Sequence, residues 1–132
     1  MSFALDVSKF VEKAKKNPEK VMRQVSIKLF SAIIKASPVD TGRFRMNWMA
    51  SGSAPASGIT DATDKSGSIA IGNAISFVLK AADWHEFTLT NNLPYAQRLE
   101  YGHWSKQAPQ GMVRINMSRF QQLINEEANK VK

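Results

Sequence analysis

The sequence predicts a single α+β domain in which a small antiparallel sheet packs against a long N-terminal helix and a C-terminal helix. Three observations support this fold class. Apolar residues recur at helical spacing between residues 18 and 36, the period changes to two after Gly42, and helical spacing returns towards the C-terminus. The chain of 132 residues is long enough for one modest hydrophobic core. Residues 1–132 are therefore taken as one domain that contains a long flexible Ser/Gly-rich loop.

Residues 5–36 are predicted to be helical, with one interruption at Asn17-Pro18-Glu19. Asn17 can cap a helix, Pro18 suits a first helical turn, and Glu19 complements the positive end of the helix dipole. The segment after this break carries a continuous apolar stripe, made of Met22, Val25, Leu29, Ala32, Ile33 and Ala36. A stripe at this spacing is expected to be core rather than a ligand surface.

A strand is predicted at residues 43–50, after the helix ends at Ser37-Pro38 and the chain turns at Asp40-Thr41-Gly42. From Arg43 onwards the period is two. One face carries the apolar residues Phe44, Met46, Trp48 and Ala50, and the other carries Arg43, Arg45, Asn47 and Met49.

Residues 51–68 differ in kind, because Ile59 is their single large aliphatic residue among many Ser, Gly and Ala. We expect this loop to contribute little to the core. A loop of such length in a compact domain is usually functional or disordered. We predict that it is an assembly loop that becomes ordered in a larger particle, with a merely flexible hairpin tip as the alternative. The residues proposed to act in assembly are Ser53, Ile59, Asp61 and Lys65.

The second half of the chain supplies the remaining elements. Strands are predicted near residues 69–72 and 84–90, and they complete the sheet with the strand at 43–50. Residues 73–82 fit a short helix better than a strand, although Ile75, Phe77 and Leu79 also alternate. A short helix is predicted within residues 91–102, with Asn92 as its cap, Pro94 in its first turn and Gly102 as its stop. The last helix is predicted at residues 112–131.

Enzymatic chemistry has little support in the sequence. The chain has no cysteine, no nucleophile motif and no phosphate-binding loop. His85 and Glu86 are adjacent in a predicted strand and would point to opposite faces, and Gly102 separates Glu100 from His103. We therefore expect no enzyme activity, no metal and no cofactor. No apolar run approaches a membrane span, and no signal peptide is evident, so we expect a protein made and used in a cytoplasm.

Two parts of the sequence resemble a known family. The segments "SPVDTGRFRMNW" (Ser37–Trp48) and "NNLPYAQRLEYG" followed by "SKQAPQGMVR" (within Asn91–Phe120) are similar to tail-completion or neck proteins of tailed bacteriophages and prophages. The resemblance implies a structural virion protein at the head–tail junction or the tail end, assembled in the host cytoplasm. It also implies a homo-oligomeric ring, often a hexamer, whose subunit can be monomeric in isolation. The implied partners are other tail, neck and connector proteins.

A ring interface is predicted at residues outside the expected core. They are Arg43, Arg45, Tyr101, His103, Trp104 and Lys106, among which Arg, Tyr and Trp are enriched at interface hot spots. Glu100 joins this set, because a carboxylate in the last turn of a helix needs a compensating cation or N–H donor. We expect Arg43 or Arg45 to be that partner, within the subunit or across a ring contact. The alternative is an exposed and unpaired Glu100.

Nucleic-acid binding is the alternative function, since the formal net charge is +7. Phosphates would contact Arg43, Arg45 and the lysines of the first helix, which are Lys9, Lys13, Lys16 and Lys20. Bases could stack on Trp48, Trp84 or Trp104. Because Trp48 falls on an apolar face and no DNA-binding motif is present, we expect at most non-specific contact.

Overall fold

A three-stranded antiparallel sheet lies beside helices in the computed structural model, which describes residues 3–6, 18–101, 113 and 116. Its strands are β1 (Phe3–Asp6), β2 (Trp48–Ser51) and β3 (Thr88–Asn91). The helices with printed bounds are α1 (Pro18–Ala36), α2 (Arg43–Met46), α3 (Ser68–Lys80) and α4 (Ala96–Tyr101). The prediction of an α+β fold with a small antiparallel sheet is confirmed.

Strand β3 is the centre of the sheet, whose order is β1-β3-β2. Leu89 pairs with Leu5 on one side and with Ala50 on the other. All four residues of β3 are buried. The strand that follows the long loop and α3 therefore returns to the middle of the sheet, between the two strands formed earlier in the chain.

The core lies between α1, α3 and the sheet. Helix α3 packs against both α1 and β2. The buried apolar side chains of α1 are Val21, Met22, Val25, Leu29, Phe30, Ile33 and Ile34, and those of α3 are Ala70, Ala74 and Val78. Trp48, Phe87 and Leu89 extend the same cluster into the sheet and the segment before β3. The predicted start of α1 after Asn17 and its end before Ser37 are confirmed.

Residues 3–6 form a strand, so the predicted helix is wrong at its N-terminal end. β1 is held by pairing with β3, which lies more than eighty residues further along the chain. A four-residue strand has too little sequence to show a period, and its stability depends on the distant partner. The predicted helix across residues 7–17 lies outside the described residues.

The strand predicted at residues 43–50 begins too early. Residues 43–46 form α2, a single helical turn, and β2 begins at Trp48. Phe44 and Trp48 are both buried, as expected. Their spacing of four residues equals two periods of a strand and about one helical turn, so it cannot distinguish the two conformations.

The strand predicted near residues 69–72 is helical. These residues are the first turn of α3, which continues to Lys80, so the predicted helix at 73–82 is confirmed and extended. The buried residues Ala70, Ala74 and Val78 lie on one side of this helix, whereas Gly72, which would share their face in a strand, is exposed. The sheet is completed by β1 instead.

The strand predicted at residues 84–90 is present only from Thr88 to Asn91. His85 and Glu86 therefore lie outside the strand, so the predicted placement of their side chains on opposite faces of a strand is wrong. The helix predicted within residues 91–102 is confirmed as α4, but Asn91 rather than Asn92 receives the N–H of Leu93. Most of the last predicted helix lies outside the described residues, and within it Val113 and Asn116 are helical.

Candidate interaction surfaces

The loop between β2 and α3 is attached to the domain by side chains from α2 and from the residues around it. The buried Asn47 binds the backbone of Thr60 twice: its Nδ2 donates to the Thr60 carbonyl at 3.0 Å, and its Oδ1 accepts the Thr60 N–H at 2.9 Å. Asn92 Nδ2 donates to the carbonyls of Ala56 and Gly58 at 2.8 and 3.1 Å. The segment has no regular secondary structure, yet its path is set by these amide contacts.

Gly42 is the closest approach of the loop to the turn before α2. Its carbonyl accepts the Asp64 N–H at 3.0 Å, and its φ is 91°. A Cβ at this position would lie 2.5 Å from the Lys65 nitrogen. The turn predicted at Asp40-Thr41-Gly42 is confirmed, and glycine is required there both for backbone conformation and for space.

Arg43 supports the loop from its exposed side. Its Nε donates to the Thr60 carbonyl at 3.3 Å, and its guanidinium lies 3.1 Å from Asp61. The side chains are 34% and 95% exposed, respectively. An ion pair this exposed contributes little to folding. The predicted interface role of Arg43 and Asp61 therefore stays a prediction.

Arg45 covers the C-terminal end of α1. It donates to the carbonyls of Ser37, Lys65 and Lys35 at 3.0, 2.7 and 2.8 Å, respectively. The last carbonyls of a helix lack internal partners and carry partial negative charge, which a guanidinium compensates. The charge of Arg45 is thus used within the subunit, and its predicted interface role stays a prediction.

Asp64 caps the N-terminal end of α3, where the first N–H groups of the helix lack internal partners. Its Oδ2 accepts the N–H groups of Ile69 and Ala70 at 2.7 and 3.0 Å. Burial of Asp64 opposes its ionisation, but the hydrogen bonds from Ala70, Ile69, Ser66 and Gly67 outweigh burial and lower the pKa of its carboxyl. This loop residue is buried and functions as a helix cap, while residues 51–68 contribute no apolar side chain to the described core, as expected.

The role of Arg23 was not predicted from the sequence, because Arg23 is only one of several basic residues in a predicted helix. Its guanidinium donates to the carbonyls of Val78 and Ala81 at 2.5 and 2.9 Å. It therefore covers the C-terminal end of α3 from α1, and it also pairs with Glu19 at 3.3 Å. Helices α1 and α3 are thus connected by the Arg23 guanidinium as well as by apolar packing.

Glu100 is fully buried, so its exposed alternative is wrong. Its Oε1 accepts the N–H of Val113 at 2.8 Å. The prediction that this carboxylate needs a compensating partner is confirmed for the N–H donor. The described hydrogen bonds of Arg43 and Arg45 go to other groups, so their predicted pairing with Glu100 within the subunit is wrong. Pairing across a ring contact stays a prediction.

The other predicted interface residues divide into two groups. Ser53, Ile59 and Lys65 of the assembly loop are exposed, which is what contact with a partner requires. The side chain of Tyr101 and residues His103, Trp104 and Lys106 lie outside the described side chains and residues. The structure therefore places these three loop positions at the surface, and the predicted role of the C-terminal set stays a prediction.

An apolar face on α3 is an exposed surface that the sequence did not reveal. Ile69 and Leu79 are exposed, and Phe77 is partly so. The predicted strand at residues 69–72 concealed this face, because a strand would place Gly72 on the face of buried Ala70, whereas the helix leaves Gly72 exposed on the side of Ile69.

Two of the candidate stacking tryptophans are constrained. Trp48 is buried, and its Nε1 donates to Ser37 Oγ at 2.8 Å. Trp84 is half-buried and stacks on His85, with ring centroids 4.0 Å apart. Trp48 therefore cannot stack on bases, and one face of Trp84 is covered.

His85 also contacts Asp83. The backbone N–H and the imidazole of His85 form hydrogen bonds with the Asp83 carboxylate and lower its pKa.

Among residues 3–6, 18–101, 113 and 116, no three His, Asp or Glu side chains converge as metal ligands would. No described helix has the length and apolar character required to cross a membrane. Comparison of the chain with protein-family models, curated proteins and solved structures finds no match.

Proposed function

We propose that this chain is a structural virion protein of a tailed phage or prophage, a ring-forming subunit that completes the tail or joins it to the head. The proposal begins with the resemblance of Ser37–Trp48 and Asn91–Phe120 to tail-completion and neck proteins. Its function would be shape and docking, with no catalytic step. It would act in the virion, after assembly in the host cytoplasm.

The observation that carries the proposal is the contact between the two resembling segments. Asn91 Nδ2 donates to the Phe44 carbonyl at 2.9 Å, and Asn91 pairs with Trp48 across the sheet. The rings of Phe44 and Tyr95 lie 5.8 Å apart. Segments separated by more than forty residues therefore form one continuous structural unit, which supports treating their resemblance as a single feature rather than two coincidences.

The assembly loop adds support of a different kind. Its inner atoms are held by Asn47 and Asn92, while Ser53, Ile59 and Lys65 remain exposed. A loop held at several points loses less conformational entropy on binding than a free one. This arrangement suits docking to the next subunit or to an adjacent virion protein.

The direct test is deletion of the gene from the phage or prophage that carries it, followed by electron microscopy of the lysate. A junction protein should leave filled heads and tails unjoined, and a tail-completion protein should leave tails without a finished end. Expression of the intact chain in the same cells should restore complete particles. Normal infectious particles without the gene would contradict the proposal, and portal or tail-tube genes beside it would support it.

Nucleic-acid binding is separated from this proposal by affinity. A docking protein with net charge +7 should bind duplex or single-stranded DNA weakly at physiological salt, with a Kd no tighter than about micromolar. Replacement of Lys13, Lys16 and Lys20 by Glu should then leave particle assembly intact. Nanomolar binding that these substitutions remove would favour the nucleic-acid function instead.

A further inference from the structure

The outward side of α3 carries residues at the spacing that faces a partner helix. Ile69, Gly72, Ser76 and Leu79 follow one another at intervals of three, four and three residues, which is the heptad pattern. They lie opposite the buried side formed by Ala70, Ala74 and Val78. We refer to these four outward residues as the α3 seam.

The shape of the α3 seam suits a helix with large side chains. Ile69 and Leu79 project at its ends, and Gly72 is exposed between them. A Cβ added at Gly72 would meet no atom within 4 Å, so the space above it is open. Small residues between two large apolar ones form the type of hole that accepts a side chain from a facing helix.

The lysines at the two ends of the α3 seam favour a partner with negative charges. Residues 68–79 contain no charged side chain, but the exposed Lys65 lies just before the helix and the exposed Lys80 ends it. Neither ammonium group is paired with a carboxylate among the described residues. A second copy packed antiparallel would bring Lys80 against Lys65, and a parallel copy would bring like residues together. Carboxylates at both ends of a partner helix would instead complement both lysines.

We propose that the α3 seam docks an amphipathic helix of another protein, with acidic residues near both of its ends about 20 Å apart. The seam fits a membrane surface less well, because interfacial helices combine a broad apolar face with many basic residues. This inference rests on α3 alone. It can succeed or fail independently of the proposed role in the virion.

The test uses two labelled synthetic peptides of about five helical turns, each with leucines at heptad spacing. One peptide has two glutamates at each end, and its twin has lysines there. Fluorescence anisotropy with the purified full chain should show about tenfold tighter binding of the acidic peptide at low salt. Ile69→Ser should weaken that binding at least tenfold, whereas Ile59→Ser should not. The two isoleucines are a matched pair, each 54% exposed.

Lys65→Glu with Lys80→Glu should reverse the preference, so that the lysine-ended peptide binds better. Equal binding of the two peptides, absence of binding by both, or an unchanged affinity of the Ile69→Ser chain would overturn the proposal. Self-association in sedimentation velocity that Ile69→Ser removes would assign the seam to a second copy instead. Flotation with phosphatidylserine vesicles that the same substitution removes would assign it to a membrane surface, and would equally overturn the proposal.

Discussion

At the scale of single residues, buried or half-buried polar side chains connect segments that are distant in sequence. Asp64 receives two N–H groups of α3, and Glu100 receives the N–H of Val113. The first N–H groups of α3 have no partner within the helix, and the N–H of Val113 is buried, so each carboxylate satisfies donors that would otherwise lack an acceptor. Each of these acids can therefore be tested by replacement of its carboxylate.

Asp64→Asn should lower the free energy of unfolding near neutral pH by about 1 kcal/mol, because the amide keeps an acceptor oxygen but removes the negative charge at the positive end of the helix dipole. Because the pKa of Asp64 is lowered in the folded state, its stabilising effect is full above the ordinary value of 3.8. The effect should disappear as the pH falls through the lower folded-state pKa. Urea denaturation at several pH values should show the variant and the natural chain converging in acid. Asp61→Asn, at an exposed acid of the same loop, should change neither stability nor its pH dependence.

Glu100→Ala should lower the free energy of unfolding by about 1–3 kcal/mol, because the N–H of Val113 loses its acceptor in a buried site. Glu100→Gln retains an amide oxygen at the same position and should be less destabilising. Urea denaturation of the two variants measures this difference. Equal stability of the alanine variant and the natural chain would show that the Val113 contact is not needed for folding.

At the scale of secondary-structure elements, helix ends and the long loop are stabilised together. Arg45 covers the end of α1 and also binds the Lys65 carbonyl of the loop, while Arg23 covers the end of α3. Gly42 lets the loop pass within contact distance of the turn before α2. Order in the loop is therefore coupled to the ends of both long helices.

Arg45→Lys should lower the free energy of unfolding by about 2 kcal/mol, because an ammonium cannot satisfy three separated carbonyls in the geometry of a guanidinium. Arg43→Lys is the matched variant and should change it by less than about 0.5 kcal/mol, since its ion pair is exposed. Thermal and urea denaturation of both proteins make the comparison. Equal losses would show that Arg45 has no special role at the end of α1.

Gly42→Ala should lower the free energy of unfolding by about 2–4 kcal/mol, through the left-handed backbone and the overlap with Lys65. Gly52→Ala is the control, because a Cβ at Gly52 meets nothing within 4 Å. The thermal midpoints of the two variants should therefore differ by several degrees. A Gly42→Ala chain as stable as the control would mean that the loop can move away at little cost.

At the scale of the whole molecule, the loop has an exposed first part and an anchored second part. Ser53, Ala54 and Pro55 are exposed, whereas Thr60 and Asp64 are tied to α2 and α3. Removing residues 53–65 would remove the cap of α3 along with the surface. A variant that impairs assembly without impairing folding must therefore change only the exposed first part of the loop.

Replacement of residues 53–55 by glycines should lower the thermal midpoint by only several degrees, because these side chains are exposed and the loss comes from the added freedom of the unfolded chain. Deletion of residues 53–65 should lower it much further. If the loop acts in assembly, the glycine variant should still reduce the yield of infectious particles in the complementation experiment. Full infectivity with this stable variant would show that the loop tip is dispensable.

Much of the fold could be predicted because long periodic patterns encode local structure. The stripe from Met22 to Ile33 determined α1, and the dipeptide Ser37-Pro38 determined its end. The need of Glu100 for a compensating group followed from its place in the last turn of a helix. Short elements were different, since Phe44 and Trp48 fit two conformations and residues 3–6 have no period of their own.

The sequence by itself determined the α+β class, the long helix α1, the turn at Gly42 and the position of the irregular loop, because these depend on local periodicity and on the properties of proline and glycine. The tertiary structure alone decided that residues 3–6 are a strand, that α3 is a helix capped by Asp64, and that Arg45 covers the end of α1. In each case the deciding interaction joins groups that are separated along the chain. The exposed face of α3 likewise follows from packing, since burial of Ala70 and Ala74 determines which side of the helix meets the solvent.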